Sequence, residues 1–462
     1  MAKSFRSSQA ILSGKSHAGG LPAEVRTATV KSSRIQNRLN IKINSMRKNY
    51  SLDSGVQLRK YPYPYRAMLA ICSDLDSTLD RHVYLEIMRF LNTTETTSMG
   101  TGVGLEVGNS IHFRAIPPQF SYWDTDEAGR KMVRALIHSG HIDCLHSFGE
   151  RVYTRDEAKK VLEELARHNC QLEVWVDHGG AVTNFGTDIM QGCGDEIGHP
   201  AYHADLTIPY GIKYIWRGRT TSITGQDTSP RLGGIFNLNH PIVSSRTLFK
   251  EVTKQQLAWF GNKKYAMHLT NQILRPSTLR DGRSVYEFMR CNPHWGGIGY
   301  GDQGRHIGDV LTDDFLNRLI SREGACILYT HLGKVDNPKI PFNKKACEAF
   351  RVLAEKFREG KILITTTRRL LGYCRAVREI RYDVHQDGEI LQINIHTQTS
   401  KSPISELSNS DLVGLTFYVP EPRKTQLSLD GKKVISFKCN APDHTSWSSV
   451  SLQWYSLEFP KI

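Results

Sequence analysis

The stretch AMLAICSDLDSTLD (residues 67–80) joins an unbroken apolar run to two aspartates one residue apart. An apolar run of this length, followed by the amphipathic RHVYLEIMRFLN (81–92), predicts a strand buried on both faces and then a helix. That is the opening of a parallel βαβ unit. In such folds functional side chains collect at the C-terminal ends of the strands, which is where Asp74 and Asp76 fall. In extended backbone residues i and i+2 point the same way, so both carboxylates can face one site.

The same alternation continues outward. GVGLEV (102–107) and SIHFRAI (110–116) read as extended. Asp124 with Glu127 has the spacing of a capping box and predicts a helix start there. HIDCLHS (141–147) is the next strand, Thr154 with Glu157 opens another helix, and LEVWV (172–176) is again a strand. The middle, 178–300, is rich in Gly, Pro and His, with GIKYIW (211–216) and KKYAMHL (263–269) as strand candidates. A helix after Thr312, the strand ACILYT (325–330), the helix at 343–360 and the strand KILITT (361–366) restore the rhythm. The order predicts parallel β, as a barrel or an open sheet. After about residue 379 the period changes to two, and Asp430-Gly431 marks a hairpin turn. An antiparallel β-sandwich-like domain is expected over 379–462, with Trp447 and Trp454 read first as packing residues. The domain reading is therefore a basic arm (1–60), an α/β body (61–378) and this accessory domain.

Composition bounds the partners. The net charge is +14, but residues 1–60 hold 12 Lys and Arg against 2 Asp and Glu, leaving the body nearly neutral. The arm reads as poorly ordered and able to touch an acidic surface, whereas a nucleic-acid partner is not favoured for the body. No run approaches a membrane span, and Ala10-Ile11-Leu12 is too short for a secretory signal. The nine scattered cysteines form no CxxC pair, which points to a reducing, cytoplasmic setting rather than a disulfide framework. GTGVGLEVG (100–108) lacks the preceding strand and following helix of a nucleotide loop.

Four strand ends carry carboxylate or imidazole: Asp74 and Asp76; His146, Ser147 and Glu150; Asp177 and His178; and His331. Two chemistries compete for them. Asp74-Leu75-Asp76-Ser77-Thr78 matches the DxDxT phosphatase pattern, but the later acidic pair that would hold magnesium is missing; Asp313-Asp314 sits at a helix start instead. His138, His141 and Asp143 read as structural.

The segments SDLDST, GHIDCLHSFGE, ILYTHLGK and ITTTRRLLGY occur in the order of the polysaccharide deacetylase family (carbohydrate esterase family 4, NodB-homology fold), which residues 66–376 resemble. The resemblance implies a distorted (β/α) barrel and a divergent member of that family. It implies a base at Asp74, metal ligands at Asp76 and His146, and a general acid at His331. The family's second metal histidine falls on Glu150, and His178 is the rival third ligand. The implied cofactor is one divalent metal ion, zinc first, with manganese, iron, cobalt or nickel as alternatives. The family's arginine-containing motif is not recognisable, and VDHGGAVTN stands in its place. Asp177 and Asn184 there, with His294 and Trp295 in NPHWGGIGYGDQGRH (292–306), are the candidate substrate-binding residues, and Asp302 in the same loop can line a sugar site with them. The implied activity is removal of an N-acetyl or O-acetyl group from a carbohydrate or polysaccharide precursor. A degenerate sugar- or partner-binding protein on the same fold is the alternative, favoured by Glu150 and the Asp-x-Asp spacing.

Overall fold

A computed structural model of the protein describes residues 55–74, 77–397, 404–434 and 436–462. Asp76 and nearly all of the basic arm lie outside the described residues. The strand read at 67–73 forms as expected: β2 (Ala67–Ser73) follows the short β1 (Gln57–Leu58), and every one of its seven residues is buried. Burying each large aliphatic side chain here contributes roughly 1.5–3 kcal/mol, so this strand anchors the body. After the helix Arg81–Asn92 comes a minimal hairpin, β3 (Thr96–Thr97) with β4 (Gly100–Thr101). There follow β5 (Asn109–Ile111), β6 (Ile142–His146), β7 (Val174–Val176), β8 (Tyr214–Trp216) and β9 (Thr220–Thr221). Next are β10 (Leu274–Thr278), β11 (Ser284–Phe288), β12 (Arg290–Cys291), β13 (Ala325–Thr330) and β14 (Ile362–Thr365).

With β2, strands β5 to β14 make one curled sheet of 11 strands, parallel except for the β10–β11 hairpin. β13 runs beside β2 along its length, from Ala325↔Met68 to Thr330↔Ser73. β14 covers the first half of the opposite edge and β5 meets it at Ser73. From β5 the order runs through β6, β7 and β8 to β11. β8 and β9 follow in tandem, as do β11 and β12. β11 pairs with β8, while β12 pairs with both β9 and β13. Two apolar clusters fill the layers between sheet and helices, one around β2 and β13, the other around β6 and Trp175.

Several local expectations are corrected. GVGLEV forms no strand; its amides donate to the carboxyl end of the preceding helix, Val103 to Phe90 O at 2.7 Å and Leu105 to Leu91 O at 2.8 Å. Gly102 permits that approach, since a Cβ there would stand 2.3 Å from Thr93 O. The helix expected at Asp124 begins at Glu127, because Asp126 caps Gly129 N while Asp124 accepts from the Ser121 hydroxyl. KKYAMHL is helical, a 3-10 turn at Lys263–Tyr265 running into Ala266–Thr270, with Asn262 capping Lys264 N. The local cap and the helix-forming Ala and Met override a weak period-two pattern. Thr154 and Glu157 do form a reciprocal capping box.

The C-terminal region carries two further sheets. β15 (Arg381–Asp387), β16 (Ile390–His396), β18 (Thr425–Leu429) and β19 (Lys432–Lys433) form one, and its β16–β18 pair is parallel. β17 (Thr416–Tyr418), β20 (Lys438–Asn440) and β21 (Ser449–Ser451) form the other, antiparallel, together with β1. Asp430 and Gly431, both at positive φ, make the turn between β18 and β19. Trp454 lies under the Arg369 guanidinium at 4.0 Å, and Trp447 is half exposed.

Candidate functional site

Parallel strands end side by side, and these ends deliver a cluster of carboxylates and imidazoles. Asp74 follows β2, with its amide donating to Thr330 O of β13 at 2.9 Å. Its carboxylate is 2% exposed and receives both terminal nitrogens of Arg290, Nη1 to Oδ2 at 2.7 Å and Nη2 to Oδ1 at 3.0 Å. Arg290 sits on β12, fully buried, its guanidinium 4.2 Å from the Trp216 ring centroid and 5.4 Å from that of Tyr329. Burial pushes the Asp74 carboxyl up, but Arg290, with His146 and His331, outweighs it and holds the group below its ordinary value. A paired fork of this kind combines charge and direction, and fixes the carboxylate plane.

His331, after β13, stands on the other side. Its Nε2 is 4.0 Å from Asp74 Oδ2, and its Nδ1 is 3.0 Å from the Asp302 carbonyl and 3.5 Å from the Asp302 carboxylate. The His331 amide also donates to Asp302 O at 2.5 Å. Burial raises the Asp302 carboxyl, and the bond and charge of His331 more than offset it, so Asp302 is held low. With Nδ1 as the donor to Asp302, Nε2 is the nitrogen on the Asp74 side.

The third component is imidazole-rich. His146 ends β6, and its Nδ1 lies 3.8 Å from Asp74 Oδ1. Its ring is 4.7 Å, edge to face, from that of His178 and 6.0 Å from that of His112. His178 Nε2 is 3.5 Å from Glu150 Oε1, while Glu150 Oε2 accepts the Ile116 amide at 2.9 Å. Ser147, at φ +51°, turns the chain sharply after His146 and bonds Thr183 through its hydroxyl at 2.9 Å. His146 thus lies beside Asp74, His178 beside His146, and Glu150 beside His178. These are nitrogen and oxygen donors of the kind that zinc, manganese, iron, cobalt or nickel take. Among the described residues no group of three or more His, Cys, Asp or Glu side chains is arranged to hold a metal ion. Asp76, expected from the sequence as a ligand, lies outside those residues.

The expected substrate contacts are placed differently from one another. Asp177 is fully buried; its Oδ1 accepts from Trp175 Nε1 at 2.7 Å and Phe185 N at 2.9 Å, and burial raises its carboxyl to about 7. It ties β7 to the loop at 184–186. Asn184, also buried, clamps His178 by its backbone: Oδ1 accepts His178 N at 3.0 Å and Nδ2 donates to His178 O at 2.5 Å. Asn184 therefore positions the His178 backbone directly, while Asp177 holds the loop that carries Asn184. His294 and Trp295 lie in the loop that runs from β12 to Asp302, and Trp295 is stacked on His240 at 3.9 Å and 4°. Asp313 and Asp314 are exposed at the start of the helix Asp313–Ser321.

Two residues of the cluster were missed from the sequence. Arg290 lies 216 positions from Asp74 and carries no local motif. His112, fully buried with Nε2 3.0 Å from Phe120 O, sits one residue past β5, so its place at a strand end was the available signal. Comparisons with family models, with curated proteins and with solved structures find no match to this chain.

Proposed function

We propose that the protein is a hydrolase that removes an N-acetyl or O-acetyl group from a carbohydrate, on a distorted (β/α) barrel of the polysaccharide deacetylase type. The observation that carries the reading is the meeting of Asp74, His331 and the His146–His178 pair at the C-terminal strand ends. The curl of the sheet, with β12 reaching both β9 and β13, supports the barrel. In this reading Asp74, ionised and held by Arg290, accepts a proton from the attacking water. His331, with Asp302 at its Nδ1, delivers a proton from Nε2 to the leaving nitrogen or oxygen. The 4.0 Å between Nε2 and Asp74 Oδ2 puts acid and base within reach of one scissile bond. A divalent ion held by Asp76 and His146, with His178 or Glu150 as the third ligand, would supply Lewis-acid polarisation of the acyl carbonyl and of water.

The test measures acetate release from N-acetylated and O-acetylated sugars after supplying each of the five metals, with metal content read in parallel. Asp74→Asn and His331→Ala should abolish release while retaining metal; His146→Ala should lose the metal. One observation favours a second reading, a sugar-binding protein without turnover: both Asp74 oxygens are engaged by Arg290. Saturable binding of an acylated sugar without metal uptake or acetate release would establish that reading and remove the first.

A further inference from the structure

The helix Pro241–Trp259 is inverted relative to an ordinary surface helix. Its buried side chains are Ser244, Thr247 and Glu251, with Ala258. Glu251 is satisfied there, accepting from the Thr221 hydroxyl at 2.9 Å and the Lys254 ammonium at 2.7 Å. The outward stripe is instead apolar: Ile242, Phe249 and the C-cap residue Phe260 are 69%, 71% and 76% exposed. They are 7 and 11 residues apart, and at 3.6 residues per turn both spacings return to within ~20° of one azimuth. Leu238 before the helix and Trp259 at its end are also exposed. A soluble face normally places such side chains inward, so a row of large apolar side chains pointing outward, with Arg246, Thr253 and Gln256 between them, marks a surface that meets something apolar.

The charges around the stripe narrow what that is. From Thr228 to Arg280 the only acidic residue is Glu251, which is buried, whereas Arg246, Lys250 and Lys263 are exposed. Aromatic and aliphatic side chains flanked by cations, with no exposed carboxylate among them, match the boundary of an anionic bilayer. Rings enter the acyl edge while ammonium and guanidinium groups stay at the phosphates. We propose that this face docks the protein on an anionic lipid bilayer. The helix also abuts the loop leading to Asp302: its N-cap His240 stacks on Trp295, and a Cβ on Gly297 would lie 3.4 Å from Thr247 Oγ1. Docking would therefore bring the loop that carries Asp302 to the membrane surface. The proposal stands on the helix alone and does not depend on the deacetylase reading.

The test uses the full chain with large vesicles of phosphatidylcholine, with and without phosphatidylglycerol. Binding should require the anionic lipid and weaken with salt. Brominated acyl chains should quench Trp emission, and Trp259→Phe should remove that quenching. Phe249→Ser with Phe260→Ser should weaken partitioning at least about ten-fold, since each ring loses its apolar burial. Arg246→Gln with Lys250→Gln should weaken it about five-fold per charge at low salt. All four positions are exposed, so melting temperatures should stay those of the parent; a Phe pair that fails to fold leaves the Arg/Lys pair and Trp259 as the readout. Three outcomes would overturn the proposal. One is unchanged partitioning of the Phe and Arg/Lys variants, which would assign any lipid binding elsewhere in the chain. Another is failure of the parent to bind anionic vesicles. The last is a parent dimer that dissociates in the Phe variant, which would make a second copy the occupant.

Discussion

Removing the Arg290 guanidinium should expose the energetic role of the Asp74 pair. Arg290→Met keeps a long apolar side chain against Trp216 and Tyr329 but leaves Asp74, 2% exposed, without the two bonds at 2.7 and 3.0 Å. Breaking a buried ion pair from one side costs about 3–5 kcal/mol, chiefly because the remaining charge stays buried without its partner. Asp74→Asn in the same background removes that charge, so the double variant should recover a coupling energy of about 2–3 kcal/mol relative to the sum of the singles. The lost cation–π contact appears in both arms of the cycle and cancels. Equilibrium denaturation of the four proteins at pH 7 gives each free energy. Additivity within about 0.5 kcal/mol would refute the reasoning, because it would mean that Asp74 does not rely on Arg290 for its charge. Arg290→Lys should recover only part of the loss, since an ammonium cannot reproduce the two-pronged bond or the stacking.

Asn184→Ala should cost about 1–3 kcal/mol and, if a metal is bound through His178, weaken its affinity about 10–100-fold, measured by competition with a chelator. Gly149→Ala should destabilise by at least about 1–3 kcal/mol in the same denaturation assay, because φ is +101° and the new Cβ would lie 1.8 Å from Arg114 O. An unchanged midpoint would mean that this loop is free to move. His203 is buried, bonded to Thr183 O and the Thr207 hydroxyl, and burial lowers its imidazole to about 4. The unfolded chain takes up a proton near the ordinary value of about 6.5 while the folded chain refuses it, so stability present above that pH is lost as pH falls toward 4. Unfolding free energy should drop by about 1.4 kcal/mol per pH unit from this group across that window, and His203→Gln should flatten the slope by one proton.

The local grammar of the chain was legible wherever it depended on neighbours in sequence. β2 follows from an unbroken apolar run, the helix Arg155–Arg167 from Thr154 and Glu157 three residues apart, and the β18–β19 turn from Asp430-Gly431. Asp74, His146, His178 and His331 were legible for a related reason: parallel strands end on one side, so a polar residue just past an apolar run lands there. What the tertiary structure alone decided are the partners across the sheet. Arg290 reaches Asp74 because β12 pairs with β13 and β13 with β2, an order that no local pattern encodes. β1 joins β17 across most of the chain for the same reason. Asp177 and Asn184 have the chemical type of substrate contacts, yet burial turns Asp177 to holding the 184–186 loop and Asn184 to holding the His178 backbone. Residue type announces what a side chain can bond. The strand order and the depth of burial determine which partner it meets, because hydrogen bonds and ion pairs act over a few ångströms of space.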